Sequence, residues 1–371
     1  LRIFLLILVA ACSTQLLVAP RSHAISTADS PATPPSTLEN ALRQWAASET
    51  CDTAYFVSTE GGGVRAAAWT ALALARLERH LGDERFGQCL VAASGVSGGS
   101  LGLAAFVAGR RMLLETPNLA RGGTSCDPDA LLPEQLECRL GHMMTRDFLS
   151  PLLAAMFTVD QAQLLLPFAL SHDRGTALEQ AFSRAFEDAF PTPPGRLSPF
   201  DPRFPLSGLY AAANSGASSP AWTPMLVLNT TDVHSGMRVL QAGVDLDGTN
   251  TVAGSTRLHF SDSFPAAVDI SAKRGTATEN SLVGAVHNSA RFSYASPAGL
   301  QDSSASESIR QFVDGGYFEN SGTTTLLDLV RAYRIVSADD TPRRLVVIHI
   351  SNDANMASGQ PVGAFESSGT T

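Results

Sequence analysis

Short apolar runs alternate with stretches of helical spacing along most of this chain, and glycine-rich turns fall between them. The run Ala54-Tyr55-Phe56-Val57-Ser58 predicts a buried strand. An Ala/Leu-rich stretch over 66–81, with Arg76, Glu78 and Arg79 late in it, predicts the helix that follows. A second strand is expected over 89–93, then a sharp turn, then a helix over 100–114. Strand, turn and helix twice in succession predict a mainly parallel sheet with crossover helices, the plan of a three-layer α/β/α domain. Helical spacing recurs over 38–45, 131–144, 176–190, 281–290 and 323–336. Strands are expected over 225–229 and 345–350, with short ones over 238–241 and 257–260 and at Phe312-Val313. A polar loop is expected over 301–308. Eight prolines between Pro191 and Pro224 forbid long regular elements and predict a surface excursion.

Composition narrows the classes. The chain has 371 residues, 44% of them apolar and 16% charged, enough for a large core in one α/β domain. With 26 Lys+Arg against 35 Asp+Glu, the net charge is −9. That balance excludes the dense basic stripe that a nucleic-acid surface needs, so no nucleic-acid partner is expected; separately, no feature of the sequence points to an obligate protein partner.

The front end is different. Ile3 to Ala11 form an apolar run behind Arg2, too short for a span and similar to the core of an export signal. It closes on Val9-Ala10-Ala11-Cys12, which resembles a bacterial lipobox and makes Cys12 the lipidation candidate. Cleavage after Ser22-His23-Ala24, or an uncleaved anchor, are the other readings. All three place the body outside the cytoplasm, as an envelope lipoprotein, in the periplasm, or secreted. The expected organisation is an export segment over 1–24, a Ser/Thr/Pro-rich tether over 25–40 and a folded domain over 41–371. Leu1 at the start predicts a further stretch upstream, and the few residues after Ile350 predict a short or truncated C-terminal part. Apart from Cys12, the cysteines are Cys51, Cys89, Cys126 and Cys138. Two bridges fit an oxidising compartment, with Cys126–Cys138 the first pairing and Cys51–Cys89 the complement; free thiols are the alternative. None of them has zinc spacing.

Three turns carry the candidate chemistry. Gly95-Val96-Ser97-Gly98-Gly99 matches the G-x-S-x-G nucleophile elbow and sits between an expected strand and helix. A serine on so tight a corner takes strained backbone angles and needs small neighbours, and its hydroxyl projects beside the positive end of a helix. The second turn, Gly61-Gly62-Gly63-Val64-Arg65, exposes backbone N–H groups able to cradle an anion. Ala66 breaks the dinucleotide pattern and no Walker lysine follows, so an oxyanion hole is the better reading than a nucleotide site. Arg65 is expected to brace that loop through backbone carbonyls. The third turn, Asp314-Gly315-Gly316, can tuck a carboxylate into a cleft.

In this order, over about 53–351, the three turns resemble the patatin-like phospholipase family. Segments 224–232 and 289–299 are also similar to its linking regions. Ala66 in place of a glycine, and a long Pro-rich insertion over about 126–224, depart from its pattern. The resemblance implies a Ser97–Asp314 dyad without histidine and no cofactor. It also implies an oxyanion hole from Gly61, Gly62 and Gly63 with Gly98, a lipid ester substrate and a membrane surface as partner. Acyl transfer to an acceptor other than water is equally compatible with it.

Two rival readings stand beside it. His349 follows Asp314 in the order an α/β-hydrolase triad would use, but Leu345 to Ile350 reads as a strand interior, which predicts a satisfied core histidine. A non-catalytic envelope lipid-binding protein is the other. The apolar segments 149–153 and 164–168 are expected in the core, or lining an acyl groove that the insertion covers.

Overall fold

A computed structural model of the chain describes residue 9 and residues 24–31, 35–48, 50–81, 85–116, 119, 122–127, 129–163, 166, 170, 172–211, 222–247, 258–272, 276–301, 310–338 and 343–353. Cys12 and nearly all of the expected export segment lie outside the described residues, as do most of the polar loop and 354–371. No helix among the described residues is long and apolar enough to cross a membrane.

The elements run β1 (Thr27–Asp29), α1 (Leu38–Ala46), β2 (Thr53–Thr59), α2 (Gly63–His80), α3 (Arg85–Cys89), β3 (Leu90–Val96) and α4 (Gly98–Glu115). There follow α5 (Leu132–Met144), α6 (Leu149–Phe157), α7 (Val159–Gln163), α8 (Arg174–Ala189), β4 (Met225–Asp232), β5 (Arg238–Ala242) and α9 (Phe260–Ser263). The last group is β6 (Ala267–Asp269), β7 (Thr278–Asn280), α10 (Leu282–Ser289), β8 (Gly299–Gln301), β9 (Arg310–Asp314), α11 (Thr323–Val336) and β10 (Arg344–Ile350). Side-chain caps mark several starts: Thr37 accepts from Asn40 N, Asp173 from Thr176 N, and Ser281 from Gly284 N.

The main sheet has the order β10-β2-β3-β4-β5-β6. From β10 to β4 every pairing is parallel; β5 runs antiparallel to β4, and β6 is parallel to β5. Alternation along the central strands explains the layers. In β4, Leu226 and Leu228 join the core cluster that holds α2, α4, α5, α8 and α10, whereas Met225 and Val227, on the other face, join the cluster that holds α1 and α11. The result is a mixed α/β fold with a mostly parallel sheet between helical layers.

Two differences from the sequence reading have plain causes. Of the strand expected over 257–260, residue 257 lies outside the described residues, 258–259 are irregular, and Phe260 opens the short helix α9, its ring 5.4 Å from that of Phe264 at the helix end. The tether is in part structured: Ile25 and Ala28 are buried, and β1 pairs antiparallel with β7. The insertion also belongs to the core over much of its length. Leu136, Leu140, Phe182, Phe186, Phe190 and Phe200 are buried in the same cluster as α2 and α4.

The structure joins Cys51 to Cys89 and Cys126 to Cys138, loops of 38 and 12 residues. On chain-entropy grounds, removing the first is expected to cost about 4 kcal/mol and the second about 3 kcal/mol. Urea unfolding of the Cys51→Ala/Cys89→Ala and Cys126→Ala/Cys138→Ala proteins checks this. A smaller loss for the long-loop pair contradicts it.

Candidate active site

The two edges of β4 decide where the site forms. One is occupied by β5. Along the other, β3 pairs in parallel as far as Val96 opposite Asn229, and β9 then pairs antiparallel from Asp314 opposite Thr230. Strands β3 and β9 therefore meet end to end on one edge, and the turns that leave them, at Ser97 and at Asp314-Gly315, are brought face to face. Across 217 residues of sequence, Ser97 Oγ donates a hydrogen bond of 2.6 Å to Asp314 Oδ2.

Ser97 sits between β3 and α4 with φ 51° and ψ −125°, a left-handed conformation strained for a residue bearing a Cβ. Its surroundings hold it there. Ser97 N donates to Ser289 Oγ at 3.0 Å, Ser289 Oγ donates to Asn229 O at 2.5 Å, and Ser100 Oγ lies 2.7 Å from Ser289 Oγ. Asn229 Nδ2 donates to Gly95 O and Ser94 Oγ, and Thr325 Oγ1 donates to Asn229 Oδ1. Both flanking glycines of the motif are required by space: a Cβ on Gly95 would press on Leu103 and Ser100, and one on Gly99 would meet Thr59 and Glu60.

Asp314 is buried. Its Oδ1 accepts from Gly316 N at 2.8 Å, and its backbone N–H donates to Arg291 O at 3.0 Å. Burial pushes its carboxyl above the usual range, and the hydrogen bonds from Ser97 and Gly316 only partly oppose that. A carboxylate so placed holds a proton more readily than one in water. Gly315 packs directly on the Asn229 carbonyl, where a side chain would collide.

The glycine loop packs against the elbow. A Cβ on Gly98 would strike the Gly63 carbonyl, so the start of α4 and the start of α2 touch backbone to backbone. Gly62 has φ 147°, open to glycine but not to other residues. Among the described residues, the N–H groups of Gly62, Gly63 and Gly98 have no hydrogen-bond partner, as expected at helix N-termini. Gly61 departs from the expectation: its N–H donates to Asn320 O at 3.0 Å, so it is committed to holding the loop. Arg65 is exposed and reaches one backbone carbonyl, Asn352 O, at 3.4 Å. Glu60 does more of the bracing, accepting from Asn352 N at 2.7 Å and Ser351 Oγ at 2.8 Å.

Ser97, Gly62, Gly63, Gly98 and Asp314 all face one cavity of about 650 Å³. Its other walls are mostly apolar: Leu101 from α4, Phe148 and Leu152 at α6, and Leu178 and Phe182 from α8. Segment 149–153 thus lines the cavity in part, whereas Leu164 and Leu165 lie outside the described residues. At the mouth, the half-exposed rings of Phe292 and Tyr317 stack 6.3 Å apart at 11°. His349 is placed elsewhere. It is an exposed residue of β10, not a core histidine, because β10 is the edge strand; its Nδ1 lies 2.9 Å from Ser58 Oγ. It lines a separate groove with Trp69, Arg76 and His80. Among the described residues, no group of three His, Cys, Asp or Glu side chains is placed to hold a metal ion. Asn229, Ser289 and Asn320 escaped the sequence reading. The signal at hand was a polar Asn-Thr-Thr ending the apolar strand β4.

No protein-family model matches the chain, and no curated protein gives a significant match. Among solved structures, VipD from Legionella pneumophila is a neighbour at 11% identity and a TM-score of 0.29, over 81% of this chain and 50% of VipD. The chain therefore spans about half the length of VipD, and so low a score bears on neither fold nor chemistry.

A raised carboxyl pKa in the folded state means that folding stability is lost as pH rises from the unfolded value through the folded one. Replacing Asp314 by the neutral isostere Asn removes that cost. Asp314→Asn is therefore expected to gain stability relative to wild type as pH rises from 4 to 8, read as urea midpoints. The opposite trend contradicts the burial of the charge.

Proposed function

We propose that the chain is a serine acyl hydrolase acting on carboxylic esters of lipids, with Ser97 as nucleophile and Asp314 as its base. The observation that carries this reading is the 2.6 Å hydrogen bond from a strained serine hydroxyl to a buried carboxylate, at the wall of a largely apolar cavity. It agrees with the resemblance of the three turns to patatin-like phospholipases.

The steps follow from the groups present. Ser97 Oγ attacks the acyl carbonyl carbon while its proton passes to Asp314 Oδ2. The carbonyl oxygen gains negative charge and is held by the N–H groups of Gly62, Gly63 and Gly98, each donor worth roughly 3–4 kcal/mol in the transition state. The intermediate collapses as Asp314 returns the proton to the departing alcohol, leaving the acyl group on Ser97. Water then attacks with Asp314 again as base, and Ser97 is released. A carboxylate is a weak base for a hydroxyl in water; burial of Asp314, which raises its pKa, makes it a better one. The cavity walls from α6 and α8 take the acyl chain, so the insertion sets chain preference. Two disulfides among the described residues fit a place outside the cytoplasm, in the cell envelope.

Product analysis on mixed lipids tests the reading. Ser97→Ala is expected to lower kcat by about 10⁴-fold or more, and Asp314→Asn by about 10²–10⁴-fold. His349→Gln retains most activity; its complete loss favours a histidine triad instead. Wild-type kcat/KM is expected to fall on its acid side at a pH above the ordinary carboxylate range, because the base must be ionised and Asp314 ionises late. A folded wild-type protein that takes up no fluorophosphonate at Ser97 points to the non-catalytic lipid binder.

A further inference from the structure

A second polar network reaches the same cavity, and the steps above make no use of it. His287 in α10 is fully buried, with Nδ1 2.6 Å from Glu179 Oε1 and Nε2 2.5 Å from Ser296 Oγ. Glu179 in α8 also accepts from Ser26 Oγ and lies 3.9 Å from the buried Arg291 guanidinium. Ser296, itself nearly buried, is part of the cavity wall.

The order serine, histidine, carboxylate is that of a nucleophilic triad, but the backbone around Ser296 argues against that role. Its own N–H is spent on Phe292 O at 2.9 Å, and the next residue is Pro297, which has no N–H. No donor adjacent in the chain is available for an oxyanion. The proton positions point to a different use. Burial alone would raise the Glu179 carboxyl, but the His287 and Ser26 hydrogen bonds and the Arg291 charge bring it below its usual value, so it is an acceptor. Burial and Arg291 keep His287 neutral against the opposing pull of Glu179 and Asp173. A neutral imidazole that donates from Nδ1 must accept at Nε2. In that arrangement Ser296 Oγ donates to His287 and keeps lone pairs free to accept, on a residue of the cavity wall.

We propose that Ser296 is a specificity residue of this cavity, its oxygen accepting a hydrogen bond from a free hydroxyl on the alcohol portion of the substrate. This rests on the acyl-hydrolase reading for its reaction but not for its binding. The other polar side chains lining the cavity are Ser97 and Asp314, Asn320 beside the glycine loop, and Tyr317, which is half-exposed at the mouth. The first two are engaged with each other and react. The substrate class that matches is a partly acylated polyol, with an ester and an unesterified hydroxyl near it, ahead of a simple alkyl ester.

Two matched probe pairs test the assignment. The first compares kcat/KM for glycerol mono-octanoate and methyl octanoate. Wild type is expected to favour the glycerol ester about 10-fold, Ser296→Ala to lose that preference chiefly through KM while keeping the methyl ester rate, and Ser296→Thr to retain it. The second measures calorimetric binding of 1-O-octylglycerol and octyl methyl ether, which cannot be hydrolysed. Wild type is expected to bind the glycerol ether more tightly, and Ser296→Ala to bind the two alike. No preference in wild type, or an equal loss on both members of a pair in Ser296→Ala, overturns the assignment. Failure to hydrolyse either ester, with the binding preference intact, sinks the hydrolase reading and leaves this one standing.

Discussion

One strand edge organises the chemistry of this molecule. Along β4 the parallel partner β3 stops at Val96 and the antiparallel partner β9 takes over at Asp314, so a single ladder of backbone hydrogen bonds is shared between two strands of opposite direction. Both strands must turn away where they meet. What leaves the junction on one side is a serine, and on the other a carboxylate. Their distance is thus set by sheet register and not by loop length.

The junction is costly and its surroundings show how it is held. A serine at φ 51° and a carboxyl buried enough to resist ionisation are both unfavourable. Asn229, the last β4 residue opposite β3, ties Gly95, Ser94 and Thr325 together, and its carbonyl anchors Ser289, which in turn holds the Ser97 N–H. These polar groups are buried and satisfied by one another, which favours a single arrangement over slack alternatives. The apolar faces of α6 and α8 then close the space in front of Ser97, where a dry wall strengthens every charge interaction within it.

The legible part of the site was the part written in local backbone demands. Gly95, Gly98 and Gly99 are glycines because other backbone and side-chain atoms occupy the space of a Cβ, and such positions announce themselves by composition. Hydrophobic pattern served equally well for the long helices and for β2, β3 and β4, whose continuous apolar runs record two buried faces. It failed at 258–260, where Phe260 opens a helical turn and pairs its ring with that of Phe264. It also failed at 25–29, where the short β1 pairs with β7, about 250 residues away. The apolar run over 345–350 predicts a core residue at His349, yet that strand closes the sheet and leaves one face open.

By itself the sequence determined the α/β class, the strand–turn–helix units and the residue types at three sharp turns, because each of these is imposed by neighbours within a few positions. Tertiary structure alone decided that Ser97 and Asp314 meet, that Gly61 spends its N–H on Asn320, and that Glu179 meets His287. The reason is physical. Hydrogen bonds between segments separated by a hundred residues or more depend on register and packing, and no periodicity along the chain records which distant partner a buried polar group will find.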